Sequence, residues 1–345
     1  MAYRILSRSP AVVLSRPEIV SGLLSFPTAV VVAISLLLAG CGADKPSDKR
    51  EYAVQGIYSG AISNDSRYAV MGSVQHGGSL WDIRQHERLY NWNHAEGSYS
   101  NLVATAISPE SGFAVTVGQQ DLVLWQIADG KPVWFWNAPA GILDAQLSAN
   151  GEFALLGLEN HQALYFDIQN GGLKHSLRHD GRVRSVDIST DGQLALTGSD
   201  DNQARLWDLE NGELLLRVAH GNGVNTVALS PNRQHAFSAG QLDKALIWRT
   251  SDGQLEQTLT TDESFVAQRI SYTAAKFSDS SDQLLTGTSS GLVQLWDVRK
   301  GTELRRWEAH KRDPFRPTSA TIYGLGFGNG VFYALASNGF VNELK

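Results

Sequence analysis

Four histidines, His94, His179, His220 and His310, and one pair of adjacent acids, Asp200-Asp201, are the side chains of this sequence best suited to chemistry. Histidine is a common metal ligand, and paired carboxylates serve acid–base steps. The acid pair does not converge, because adjacent residues on a turn point apart. The sequence contains no Gly-x-Ser-x-Gly elbow, no Walker loop and no metalloprotease histidine pair. The lone cysteine, Cys41, excludes an intramolecular disulfide, a zinc ribbon and a CxxC redox site. Trp92, Trp134, Trp136 and Trp307 could stack on a ligand, but the alternation in Trp134-Phe135-Trp136 suits packing. Metal ions and cofactors are therefore not expected.

Composition narrows the setting. With 345 residues, 42% apolar and 19% charged, the chain can bury a large core, and disorder is excluded for most of it. A net charge of −6 argues against nucleic acid, whose phosphates need clustered Lys and Arg. Frequent Gly, Ser, Thr, Val and Trp point to many short strands and turns.

The N-terminus reads as an export signal. Arg4, Arg8 and Arg16 precede an apolar run from Ala29 to Gly40, interrupted only by Ser35. Twelve residues are too few to span a bilayer, which takes about 20, but they suit a signal-peptide core. The run ends in Leu38-Ala39-Gly40-Cys41, before polar Asp44-Lys45-Pro46-Ser47-Asp48-Lys49-Arg50. This end resembles the lipobox of bacterial lipoproteins, which implies acylation of Cys41 after removal of residues 1–40. Gly42, rather than an aspartate, after the cysteine implies the outer membrane. Loss of three Arg and one Glu leaves 26 basic and 34 acidic side chains, a net charge of −8. Residues 41–50 are expected to be a polar tether. Glu18 and the long segment before the apolar run leave a start codon downstream of Met1 open.

What positions the histidines is an internal repeat. Aromatic anchors fall at Trp81, Trp125, Phe166, Trp207, Trp248 and Trp296, with a degenerate copy at Asn338-Gly339-Phe340-Val341. Successive anchors are 44, 41, 41, 41 and 48 residues apart. Each unit opens on a strand ending in Ser, at Ser63, Ser108, Ser148, Ser189, Ser230 and Ser278, followed by a turn such as Asp191-Gly192. Four strands in about 40 residues make a propeller blade.

These units resemble the WD-repeat family over residues 51–345. Trp-Asp endings stand at 81–82, 207–208 and 296–297. The family's structural tetrad is complete in one unit, His179, Thr197, Asp201 and Trp207. The next unit has His220, Ser238 and Trp248, with Asp243 shifted by one residue; Gln75, Asn160 and Ser290 take the Asp place elsewhere. The resemblance implies an all-β, seven-bladed propeller of four-stranded blades, closed by an N-terminal strand completing the last blade. Glu51–Ile57 carries the alternation expected of that strand. It also implies histidines one blade apart, too far to share an ion, each bonded within its own blade.

Three connectors from an anchor to the next strand-ending position exceed the usual 23 residues: 27 after Trp81, 30 after Trp248 and 32 after Trp296. The last two carry Phe265, Arg269, Lys311, Arg312, Phe315 and Arg316, the composition of a partner-binding surface. The sequence thus reads as a lipid-anchored, non-catalytic scaffold at the cell envelope, facing the periplasm and binding an unidentified protein or assembly. An envelope propeller hydrolase or oxidoreductase and a soluble cytoplasmic scaffold are the alternatives.

Overall fold

Each strand-ending serine sets the register of its blade. In six blades its hydroxyl accepts the backbone N–H five residues on, from Tyr68, Phe113, Phe153, Leu194, His235 and Gln283, at 2.9–3.1 Å. That bond fixes the turn into the second strand, as short hydroxyl side chains do at turns. The computed structural model describes residues 42–95, 97, 99–259, 271–313 and 320–345, and among them every regular element is a strand.

Seven antiparallel four-stranded sheets result. Their inner strands are Ile57–Ile62, Ala104–Ile107, Ile142–Leu147, Val183–Ile188, Val224–Leu229, Tyr272–Phe277 and Ile322–Phe327, in blades 1 to 7. Each inner strand touches the next, and blade 7 touches blade 1, so the sheets close into a ring. The protein is an all-β, seven-bladed propeller.

The core is not at the ring's centre. It is divided into seven wedges, each filled by the facing sides of two neighbouring blades. Anchors Trp207, Trp248 and Trp296 are buried there. Trp92 of blade 1 stacks on Trp125 of blade 2 at 5.2 Å, and Trp136 of blade 2 on Phe166 of blade 3 at 4.4 Å. Trp92, Trp136 and Trp307 thus pack as the alternation suggested, whereas Trp134 and Phe135 lie exposed on the rim.

The ring closes through Asp48–Glu51, which pairs antiparallel with Phe340–Glu343 and completes blade 7. This strand shares only Glu51 with the expected Glu51–Ile57 segment, and its first three residues lie in the stretch expected to be tether. Tyr52 and Ala53 instead turn onto Gly339, and Ile57 opens blade 1. The turn needs Gly56, whose φ is +88° and whose Cβ would lie 2.6 Å from the Ser337 carbonyl oxygen. All four residues of the closing strand are exposed, so their side chains carry no apolar alternation.

The inner strands leave their channel-side edges without sheet partners, and side chains supply them. Asp144 accepts the Val186 N–H at 2.9 Å, Asp187 the Leu229 N–H at 2.7 Å, and Ser185 the Val227 N–H at 3.2 Å. Thr226 donates to the Tyr272 carbonyl, Thr273 to that of Ile322, and Ser59 to that of Leu102. Each bond runs from one blade to the next in chain order.

Candidate functional site

Blade 4 builds its tetrad around Thr197, whose hydroxyl accepts the Trp207 indole N–H at 2.8 Å and stands 2.9 Å from His179 Nε2. His179 Nδ1 faces Asp201 at 3.4 Å. Burial pushes the His179 pKa down, keeping the ring neutral, although Asp201 pulls it the other way. The ring meets Thr197 through Nε2, while its buried Nδ1 makes an electrostatic contact with Asp201 and no well-formed hydrogen bond. Burial opposes the charge on Asp201, but His179, the Asp180 N–H and Arg205 together hold its pKa down to about 2.

Arg205 was not legible as part of this site. Buried in the third strand, it bonds Asp201 at 2.7 Å and the Arg178 carbonyl at 2.6 Å. Asp200 diverges to Arg182 and Arg184, both at 2.9 Å. The two acids therefore serve separate ion pairs.

Blade 2 holds a second complete tetrad. His94 contacts Thr116 at 2.9 Å and the Asp121 carboxylate, and Trp125 donates to Thr116 at 2.7 Å. Its sequence signal is displaced, because Asp121 stands four residues before its tryptophan while Asp201 stands six before. In blade 5, His220 and Trp248 meet Ser238 at 2.8 and 3.0 Å, but Asp243 lies 4.0 Å from His220. His310 departs from the expected pattern. Blade 7 has Ala334 at the threonine position, and the His310 ring instead meets Lys49 at 2.8 Å and the edge of Phe340.

A channel of about 410 Å³ runs through the ring. In six blades the inner strand carries a bulge at its second residue: Tyr58, Leu143, Arg184, Asn225, Thr273 and Tyr323. The extra residue turns its side chain out of the ladder, and all six line the channel with Val103 of blade 2. Tyr58 is 51% exposed and Val103 43%, on either side of the Ser59–Leu102 bond. Tyr99, on the long connector after Trp81, is 66% exposed and meets His76 edge-on. Deeper in, burial raises Asp144 to about 6 and Asp187 to about 7, and lowers Lys276 to about 8. Lys276 reaches the Ile62 and Ser63 carbonyls of blade 1 at 3.4 Å.

Of the expected partner-binding residues, Phe265, Arg269, Phe315 and Arg316 lie outside the described residues, as does Cys41. Lys311 pairs with Glu308 at 2.6 Å. Arg312 turns inward and donates to the Ala53 carbonyl at 2.9 Å and that of Asn338 at 2.8 Å, with Glu51 at 2.6 Å. It clamps the chain where the ring closes. Its hydrogen-bonding capacity is therefore spent within the ring.

Residues 171–208 match the family described as WD domain, G-beta repeat. That stretch is the outer strand of blade 3 and three strands of blade 4, including three of the four tetrad residues in strands and turns and His179 between them. No curated protein matches the chain.

Proposed function

We propose that this chain, a propeller carrying a WD repeat, is a protein-binding scaffold anchored by a lipid on Cys41 in the bacterial cell envelope. The carrying observation is the exposed pair Tyr58 and Val103 at the channel of a rigid ring, with Tyr99 exposed on the connector after Trp81. Large apolar side chains exposed together on a fixed frame suit protein contact. The tetrads bind polar groups inside the blades, which suits a structural role for the histidines. The apolar run ending in Leu38-Ala39-Gly40-Cys41 supports the anchor, and Gly42 supports the outer membrane.

The test is purification from solubilised membranes, comparing wild type with a Tyr58→Ser, Tyr99→Ser variant. The variant should melt like wild type and lose the co-purifying protein. Unchanged partners would place the contact elsewhere, with Phe315 and Arg316 next to be replaced. Labelled fatty acid should enter wild type and not Cys41→Ser.

A further inference from the structure

The segment ahead of the closing strand is a strap, not a free leash. Asp44 joins the outer strand of blade 6, Thr302–Glu308, as a parallel bridge opposite Trp307. Its N–H donates to the Arg306 carbonyl, and its carbonyl accepts the Glu308 N–H, both at 2.9 Å. Its carboxylate accepts from Arg305 at 2.9 Å, and Lys45 pairs with Glu308. Ser47 then donates to the Glu343 carbonyl at 2.8 Å, and the strand Asp48–Glu51 follows on blade 7. The chain is therefore fixed to the outer rim of two adjacent blades from Asp44 onward.

Only Gly42 and Ala43 separate Cys41 from that fixed point. Three residue steps span at most about 10 Å. A lipid on Cys41 leaves the rim of blades 6 and 7 almost no freedom to leave the bilayer surface. Lys45, Lys49, Arg50, Arg305 and Lys345 lie along this rim, interleaved with Asp44, Asp48, Glu308 and Glu343. The rim is close to charge balance on a chain whose net charge is negative, so anionic head groups repel it less than the chain's net charge alone would suggest.

We infer that the outer rim of blades 6 and 7 is the membrane-facing side of the protein, lying against phospholipid head groups with the ring standing on its edge. This rests on the reading that Cys41 carries the lipid. The channel, with Tyr58 and Val103 at it, then remains open to a partner beside the membrane.

The experiment uses the lipidated full-length protein on vesicles of phosphatidylethanolamine and phosphatidylglycerol containing head-group spin-labelled lipid. Acylation blocks Cys41, the only cysteine, so single reporters can be introduced. Leu304→Cys and Lys345→Cys mark the rim of blades 6 and 7, and Leu173→Cys marks blade 3; Leu304 and Leu173 are exposed. Each carries a fluorophore. Quenching at 304 and 345 should exceed that at 173 at least threefold. Inserting twenty Gly/Ser residues between Gly42 and Ala43 should abolish the difference while the protein still floats with the vesicles. Equal quenching at all three sites in floating protein would overturn the rim assignment and leave the anchor standing. Quenching that survives the insertion would overturn the role of the short leash. Failure of wild type to float, or equal flotation of Cys41→Ala, would overturn the anchor and this inference with it.

Discussion

Blade 4 and the closure of blade 7 do the same job, holding a four-stranded sheet in the ring, with different parts. Blade 4 uses a repeated device: a serine-locked turn, a buried tryptophan and a histidine–threonine–aspartate chain. Blade 7 has Ala334 where the threonine would be, and takes its fourth strand from the other end of the described chain. Its substitutes are Arg312 on the Ala53 and Asn338 carbonyls, Asn342 accepting the His310 N–H, and Lys49 against the His310 ring. A regular blade is stabilised inside its own unit, whereas the seam is stabilised by contacts between distant parts of the chain.

The largest effect should come from the seam. Removal of residues 42–51 takes away the closing strand and the Asp44 bridge, leaving the Phe340–Leu344 edge bare. At about 1 kcal/mol per net hydrogen bond, the loss is on the order of 5 kcal/mol. It should appear as a lower denaturant midpoint and as aggregation through the free edge. A truncated chain that melts like the full one would mean that the strand contributes little to closure.

In blade 4, Asp201→Ala removes the nearer of two carboxylates on buried Arg205, which keeps Asp180 at 3.3 Å and the Arg178 carbonyl, and should cost roughly 1–3 kcal/mol. Asp243→Ala in blade 5 breaks a 4.0 Å contact and an accepted Gly221 N–H, and should cost roughly 1 kcal/mol. Equal shifts in melting would erase the distinction between an aspartate that also holds a buried arginine and one that does not.

The same aspartate predicts an acid limb. Its pKa is held at about 2, below the ordinary 3.8, so its contribution is full above 3.8 and lost as pH falls through 2. Between pH 5 and pH 2, wild type should lose about 2 kcal/mol more stability than Asp201→Asn. Parallel pH curves from denaturant titrations would show that Asp201 is not held ionised by its surroundings.

The smallest effect sharpens the seam itself. Arg312→Ala should cost roughly 1–2 kcal/mol through lost bonds to two carbonyls. Lys311→Ala, which breaks only a surface pair with Glu308, should stay within about 0.5 kcal/mol. If the order reverses, the clamp at Ala53 is not what holds the junction.

This contrast also explains what could be read from the sequence. The serine–turn–aromatic period recurs because each blade makes the same local bonds, so the fold and the His179–Thr197–Asp201–Trp207 tetrad were visible. Asp121 was hidden by a shorter turn, and Arg205 by lying in a strand position that blade 6 fills with Gln294 and blade 7 with Asn342. The closing strand lies ahead of the segment the pattern points to, because Tyr52 and Val54 stand two apart while Asp48–Glu51, exposed on every side chain, carries no apolar alternation. Arg312 looked like a surface charge because nothing local shows that two carbonyls await it. The bulge residues that line the channel share no residue type, since only their extra place in the strand is common to them.

The strap has a kinetic consequence. Blades 1 to 6 pair strands that are near neighbours in the chain, so each can condense as soon as its own residues are free. Ser47 and Glu343, in contrast, meet across 296 residues. The entropy of closing so long a loop grows only slowly with length, by about 0.6 kcal/mol per doubling. Yet the search for it cannot finish before the last blade exists. The first residues of the propeller to emerge are therefore the last to find their place. Until they do, blade 7 waits with an open edge, and any holding factor met by the unfinished ring would have that edge to hold.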